Sequence, residues 1–181
     1  MLKITTRVSK VAKWGCERIL KAMSIFVEAT NPPKAKTKQA KQISLLYALI
    51  LVVMAVSQLF TFEDFITLVA NFNLPLPDAL AFVVAPLLIV CEVFALPFLL
   101  RMRLSPAFRG VSMVAGWIVP LKWFFITVWV VSTNQSVETV GFLGTIGNLV
   151  PGWWAVLLST ALGILAAWSS WGLWPFSTAK K

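Results

Sequence analysis

Two ionisable residues of opposite sign stand inside long apolar runs. Glu92 lies within LAFVVAPLLIVCEVFALPFLL, residues 80–100, and Lys122 within VSMVAGWIVPLKWFFITVWVV, residues 111–131. An unpaired ammonium near mid-membrane costs about 2.5–3.5 kcal/mol on insertion scales, so this lysine needs a partner. Glu92 is the only acid set deep in an apolar segment. Helical rise places it about 13 Å from Arg101 and Lys122 about 16 Å from Val111, depths at which the two can meet. One reading makes them a packing and specificity couple inside a bundle. A second makes one or both bind an ion, a proton, a quinone or another small ligand in a polar cavity. Snorkelling to an interface, or contact with another subunit, are further readings.

Prolines cluster near these charges. Pro86 and Pro97 flank Glu92, and Pro120 precedes Lys122 by two residues. Each removes a helix donor and clashes with the preceding turn, which frees the carbonyl of Phe82 at Pro86 and that of Gly116 at Pro120. Bends there are cavity-shaping candidates, although spans also tolerate ordinary prolines. A row of small residues, Ala155, Ser159, Gly163 and Ala167, recurs at four-residue intervals in the last apolar run. Such spacing lets another helix approach closely, within the chain or from a second copy.

Other chemistries find little material. There is no histidine and only two cysteines, Cys16 and Cys91, in neither a disulfide framework nor a zinc or CxxC pattern. No catalytic residue and no metal site is assigned, and the sequence names no cofactor. Gly141, Gly144 and Gly147 lack the lysine and the strand-to-helix context of a phosphate loop.

The elements that must position the pair follow from composition. Hydrophobic residues make up 59% of the 181-residue chain and charged ones 13%, against about a quarter in ordinary globular domains. Four runs near 20 residues, at about 43–62, 80–100, 111–131 and 153–174, each match the roughly 30 Å of a hydrocarbon core. The expected fold is all-α: a polytopic four-helix transmembrane bundle. Aromatic residues such as Trp153, Trp154, Trp171 and Trp174 sit near span ends, where the headgroup layer suits them.

Charge gives the threading. Ten of the sixteen Lys and Arg residues lie between Lys3 and Lys41, so the net charge of +9 is membrane-flanking rather than a duplex-binding face. Glu63, Asp64 and Asp78 occupy the first connection, Arg101, Arg103 and Arg109 the second, and Glu138 the third. The positive-inside rule then puts both termini in the cytoplasm and the chain in the cell inner membrane. The first apolar run begins past residue 40, unlike a cleaved signal peptide. The third connection is apolar for a loop, and reads as a segment that re-enters the outer leaflet or forms a short lid. Asn134, Gln135, Glu138 and Asn148 are its polar candidates.

Residues 1–30 carry basic and apolar positions at helical spacing, which predicts an amphipathic helix on the anionic inner surface. Docking on a partner and disorder are the alternatives. Residues 31–42, with NPPKAKTKQAK, read as a basic linker, and 175–181 as a cytoplasmic tail. The linker lacks the interleaved aromatics of a nucleic-acid binder. The expected partners are the bilayer, anionic headgroups at the amino-terminal helix, and a membrane protein or a second copy.

Four short spans, with CEVFALPFLLRMR from Cys91 to Arg103, resemble the DoxX/MauE-like membrane family. The resemblance covers about residues 43–174 and implies that Glu92 is the residue carried over. It also implies a place beside redox systems, since members include a subunit associated with thiosulfate:quinone oxidation and proteins linked to redox maturation in methylamine use. The cysteine pair that MauE-like members can carry near the third connection is missing here, which argues against a thiol relay. The expectation from all of this is a non-catalytic membrane subunit or assembly component of a redox or transport system. A small-molecule or ion transporter acting as an oligomer, and a quinone-binding subunit of an oxidoreductase, are the competing readings.

Overall fold

A computed structural model describes residues 29–32, 35–72, 81–133, 137–146 and 149–174. The expected amphipathic helix over 1–30 lies almost wholly outside them, as do the tail over 175–181, Asp78, Asn134, Gln135 and Asn148. Five helices are described: α1 Lys38–Phe60, α2 Phe62–Asn71, α3 Ala81–Leu99, α4 Pro106–Ser132 and α5 Trp153–Gly172. Four of them, α1, α3, α4 and α5, are long and apolar enough to cross a membrane. The protein is a four-helix membrane bundle.

Local chemistry sets the helix ends. The Thr37 side chain caps α1 by accepting from the Ala40 amide at 3.1 Å, so α1 starts five residues before the apolar run and takes in the end of the expected linker. Ser105 caps α4 in the same way from the Phe108 amide at 3.3 Å, with Pro106 at the first helical position. α3 closes through Arg101, whose φ of 57° is left-handed. Its amide reaches the Phe98 carbonyl at 3.1 Å and the Met102 amide reaches that of Pro97 at 3.0 Å, the paired bonds of a Schellman ending.

The first connection is not a plain loop. Thr61 breaks the chain direction and α2 begins at once, with Glu63 and Asp64 in its first turn, where the helix dipole favours acids. Phe65, Leu68 and Val69 are its buried stripe, and Glu63, Asp64 and Thr67 face outward. The stripe packs chiefly on α3.

The spanning helices contact one another in a ring, α1 to α3, α3 to α4, α4 to α5 and α5 back to α1. Between 39% and 44% of an apolar 18-residue stretch in each span is buried, and the exposed residues include Leu49, Leu87, Phe125 and Leu157, as lipid contact requires. Chain geometry puts like charges together. Lys36, Lys38, Lys41, Arg101, Arg103 and Arg109 belong to one end, where the Lys36 amide donates to the Gly172 carbonyl and Thr30 bridges Leu104. Glu63, Asp64 and Glu138 stand exposed at the other. They are called the basic and the acidic end below.

Candidate functional site

α3 and α4 run antiparallel from the turn around Arg101–Ser105, and equal depth brings Glu92 and Lys122 together. Lys122 Nζ lies 3.0 Å from Glu92 Oε1. Glu92 is fully buried, while 10% of the Lys122 side chain remains exposed. The ammonium also donates to the Leu88 carbonyl, one turn before Glu92. The same Oε1 accepts the Trp123 indole N–H at 3.1 Å and the Gln58 amide at a long 3.5 Å. Three elements, α1, α3 and α4, thus meet at one carboxylate oxygen.

The segment between α4 and α5 completes the site. It folds back into the bundle: Val140 and Phe142 are buried, and the Val140 amide donates to the Leu149 carbonyl at 2.9 Å. Phe142 lays its ring 4.7 Å from that of Trp123, and its carbonyl accepts from Gln58 Nε2 at 3.1 Å. Gln58 therefore joins this segment to Glu92. The Thr145 amide donates to Thr61 Oγ1 at 3.2 Å. Gly144, at φ 60°, lies against α1, where a Cβ would come within 3.0 Å of the Ser57 carbonyl and 3.2 Å of Gln58 Cα. Only glycine fits that approach at that backbone angle.

Each proline takes a specific place. Pro120 is buried, and the Gly116 carbonyl it frees accepts the Tyr47 hydroxyl at 2.7 Å. Around Pro97, the Ser112 hydroxyl enters the α3 ladder, accepting from the Phe98 amide at 3.0 Å and donating to the Phe94 carbonyl at 2.6 Å. At both prolines, side chains from neighbouring helices meet backbone groups of the interrupted ladder. Pro97 does border a crevice, but at the basic end with Pro32, Phe98, Arg101, Met102, Arg109 and Leu173. Glu92 and Lys122 do not line it. Pro86 is half-buried in the first half of α3.

On α5, Ala155 and Ser159 are buried, and Ser159 Oγ lies 3.5 Å from Thr127 Oγ1. Gly163 is half-buried beside Pro120. Ala167 is exposed, and Ala166 takes the packed position instead. A strict four-residue row drifts by about 40° per step on a 3.6-residue helix, so its last member leaves the contact face.

Sequence reasoning missed Gln58, Trp123, Tyr47 and Phe142 as parts of the site. Gln58 did leave a signal, being the one side-chain amide within residues 43–62. So did Tyr47, the only tyrosine of the chain, whereas Trp123 and Phe142 left none, since tryptophan and phenylalanine recur throughout the spans. Among the described residues, no three His, Cys, Asp or Glu side chains converge as a metal site would require. The chain matches no protein-family model, no curated protein and no solved structure.

Proposed function

We propose that the chain is a non-catalytic membrane subunit or assembly component of a redox or transport system. It sits in the cell inner membrane with both termini cytoplasmic, and anionic headgroups face its basic end. The observation that carries this reading is the convergence of α1, α3 and α4 on Glu92 Oε1, under a folded-in segment tied to Gln58. A carboxylate so enclosed by donors from its own bundle serves to fix helix register. The DoxX/MauE-like resemblance over Cys91 to Arg103 inclines the reading toward a redox system, with Glu92 as the carried-over residue.

The test is native-membrane purification followed by mass measurement of the intact assembly. A partner at fixed stoichiometry, its share falling in Glu92→Gln as the bundle is destabilised, is the expected result. A chain that purifies alone and moves a substrate across vesicle membranes sinks the proposal.

A further inference from the structure

The hydrogen bonding of Glu92 is lopsided. Oε1 takes all three donors, from Lys122, Trp123 and Gln58, and Oε2, although buried, has no donor among the described residues. One other buried oxygen of the cluster shares that condition, Gln58 Oε1. The two belong to side chains already in contact, since Gln58 Nε2 reaches Glu92. Two bare acceptors thus stand on adjoining side chains, in a medium that offers no bulk water.

A single proton resolves both. Placed on Oε2, it turns that oxygen into a donor and supplies Gln58 Oε1 with a partner, while Oε1 keeps its three bonds. Gln58 is then engaged at both ends, by its N–H on the Phe142 carbonyl and by its oxygen on Glu92. Lys122 retains its bond to the Leu88 carbonyl and its partial exposure, which soften, without removing, the cost of leaving its charge unpaired when Glu92 becomes neutral. We infer that Glu92 and Gln58 form a proton-binding site, with the proton held on Glu92 Oε2.

The surroundings leave few competing groups. α1 presents the Tyr47 hydroxyl, already committed to Gly116. α2 presents Phe65, Leu68 and Val69, while its acids Glu63 and Asp64 face outward. α3 adds Cys91, half-buried next in sequence, and α4 adds Lys122. α5 has no titratable side chain, and Glu138 of the covering segment is exposed.

The experiment uses the full chain in lipid nanodiscs. An apolar carbodiimide reacts with protonated carboxyl groups, and peptide mass mapping locates its adducts without any mutation. The expected result is an adduct at Glu92 that grows about tenfold per unit fall in pH while the group is mostly ionised. In Lys122→Met the curve moves to higher pH by about 1–3 units, because the ammonium that favours the carboxylate is gone. The infrared stretch of a protonated carboxylic acid, read on the wild-type chain across the same pH range, needs no reagent access. A band that grows as Glu92 protonates and is lost in Glu92→Gln supports the site. No such band while the helices persist, as when a water bridges the two oxygens instead, overturns it. So does a labelling curve that Lys122→Met leaves in place.

Discussion

Three donors on a single oxygen make Glu92 sensitive to each of them, and Lys122 is the one that carries charge. Removing one partner of a buried pair strands the other, at a cost of about 3–5 kcal/mol. Unfolding in detergent is therefore expected to show Glu92→Gln and Lys122→Met each strongly destabilising, with the double substitution recovering most of the loss. Small, additive effects would refute the couple. Tyr47 makes a subtler case. Tyr47→Phe leaves the Gly116 carbonyl without its donor and is expected to cost about 1 kcal/mol. In a Pro120→Ala background the backbone amide returns, and thermal melts should show that cost shrink; an undiminished cost would mean that Tyr47 acts through packing alone. At this scale the sequence exposed the charges because they were out of place in their runs. It also pointed to the carbonyl that Pro120 would free. It could not say that Tyr47 would meet it, because that depends on the rotation of α1 about its own axis.

Among the elements, the segment between α4 and α5 departs furthest from an ordinary loop. Its glycines at positive φ, Gly141 and Gly144, let the backbone lie against α2 and α1 and put Phe142 on Trp123. Gly144→Ala forces a side chain into a left-handed position, at about 1–2 kcal/mol, and into contact with the Ser57 carbonyl and Gln58. Hydrogen exchange over residues 137–146 should rise in that variant, while α4 and α5 keep their protection. Unchanged exchange in the segment would count against its role as a cover. The apolar character of this connection was legible, and with it the expectation of a re-entrant or lid-like segment. α2 was not, because ten residues beside a long apolar run are hidden by it, and their stripe of Phe65, Leu68 and Val69 merges with the span pattern.

For the whole molecule, the four long helices overlie the four apolar runs, α1 and α4 each starting five residues ahead of theirs, since length and hydropathy decide them. Their order around the ring was not readable, because lipid-facing and core-facing positions are apolar alike. Threading rests on charge. With both native cysteines replaced by serine, an impermeant maleimide added to intact cells should label the Glu63→Cys chain and spare the Arg103→Cys chain until the membrane is opened. The reverse pattern would invert the proposed orientation.

The turn around Arg101–Ser105 bears on how such a chain is made. Glu92 and Lys122 sit on the two arms of one hairpin, α3 and α4, joined by a few residues at the basic end. A ribosome that has delivered the chain through Ser132 has delivered both charges. A nascent chain halted soon after that point is expected to resist alkaline extraction from membranes, and Glu92→Gln to weaken that resistance. Neutralisation then precedes the arrival of α5, and the hairpin enters the lipid as one electrically closed unit.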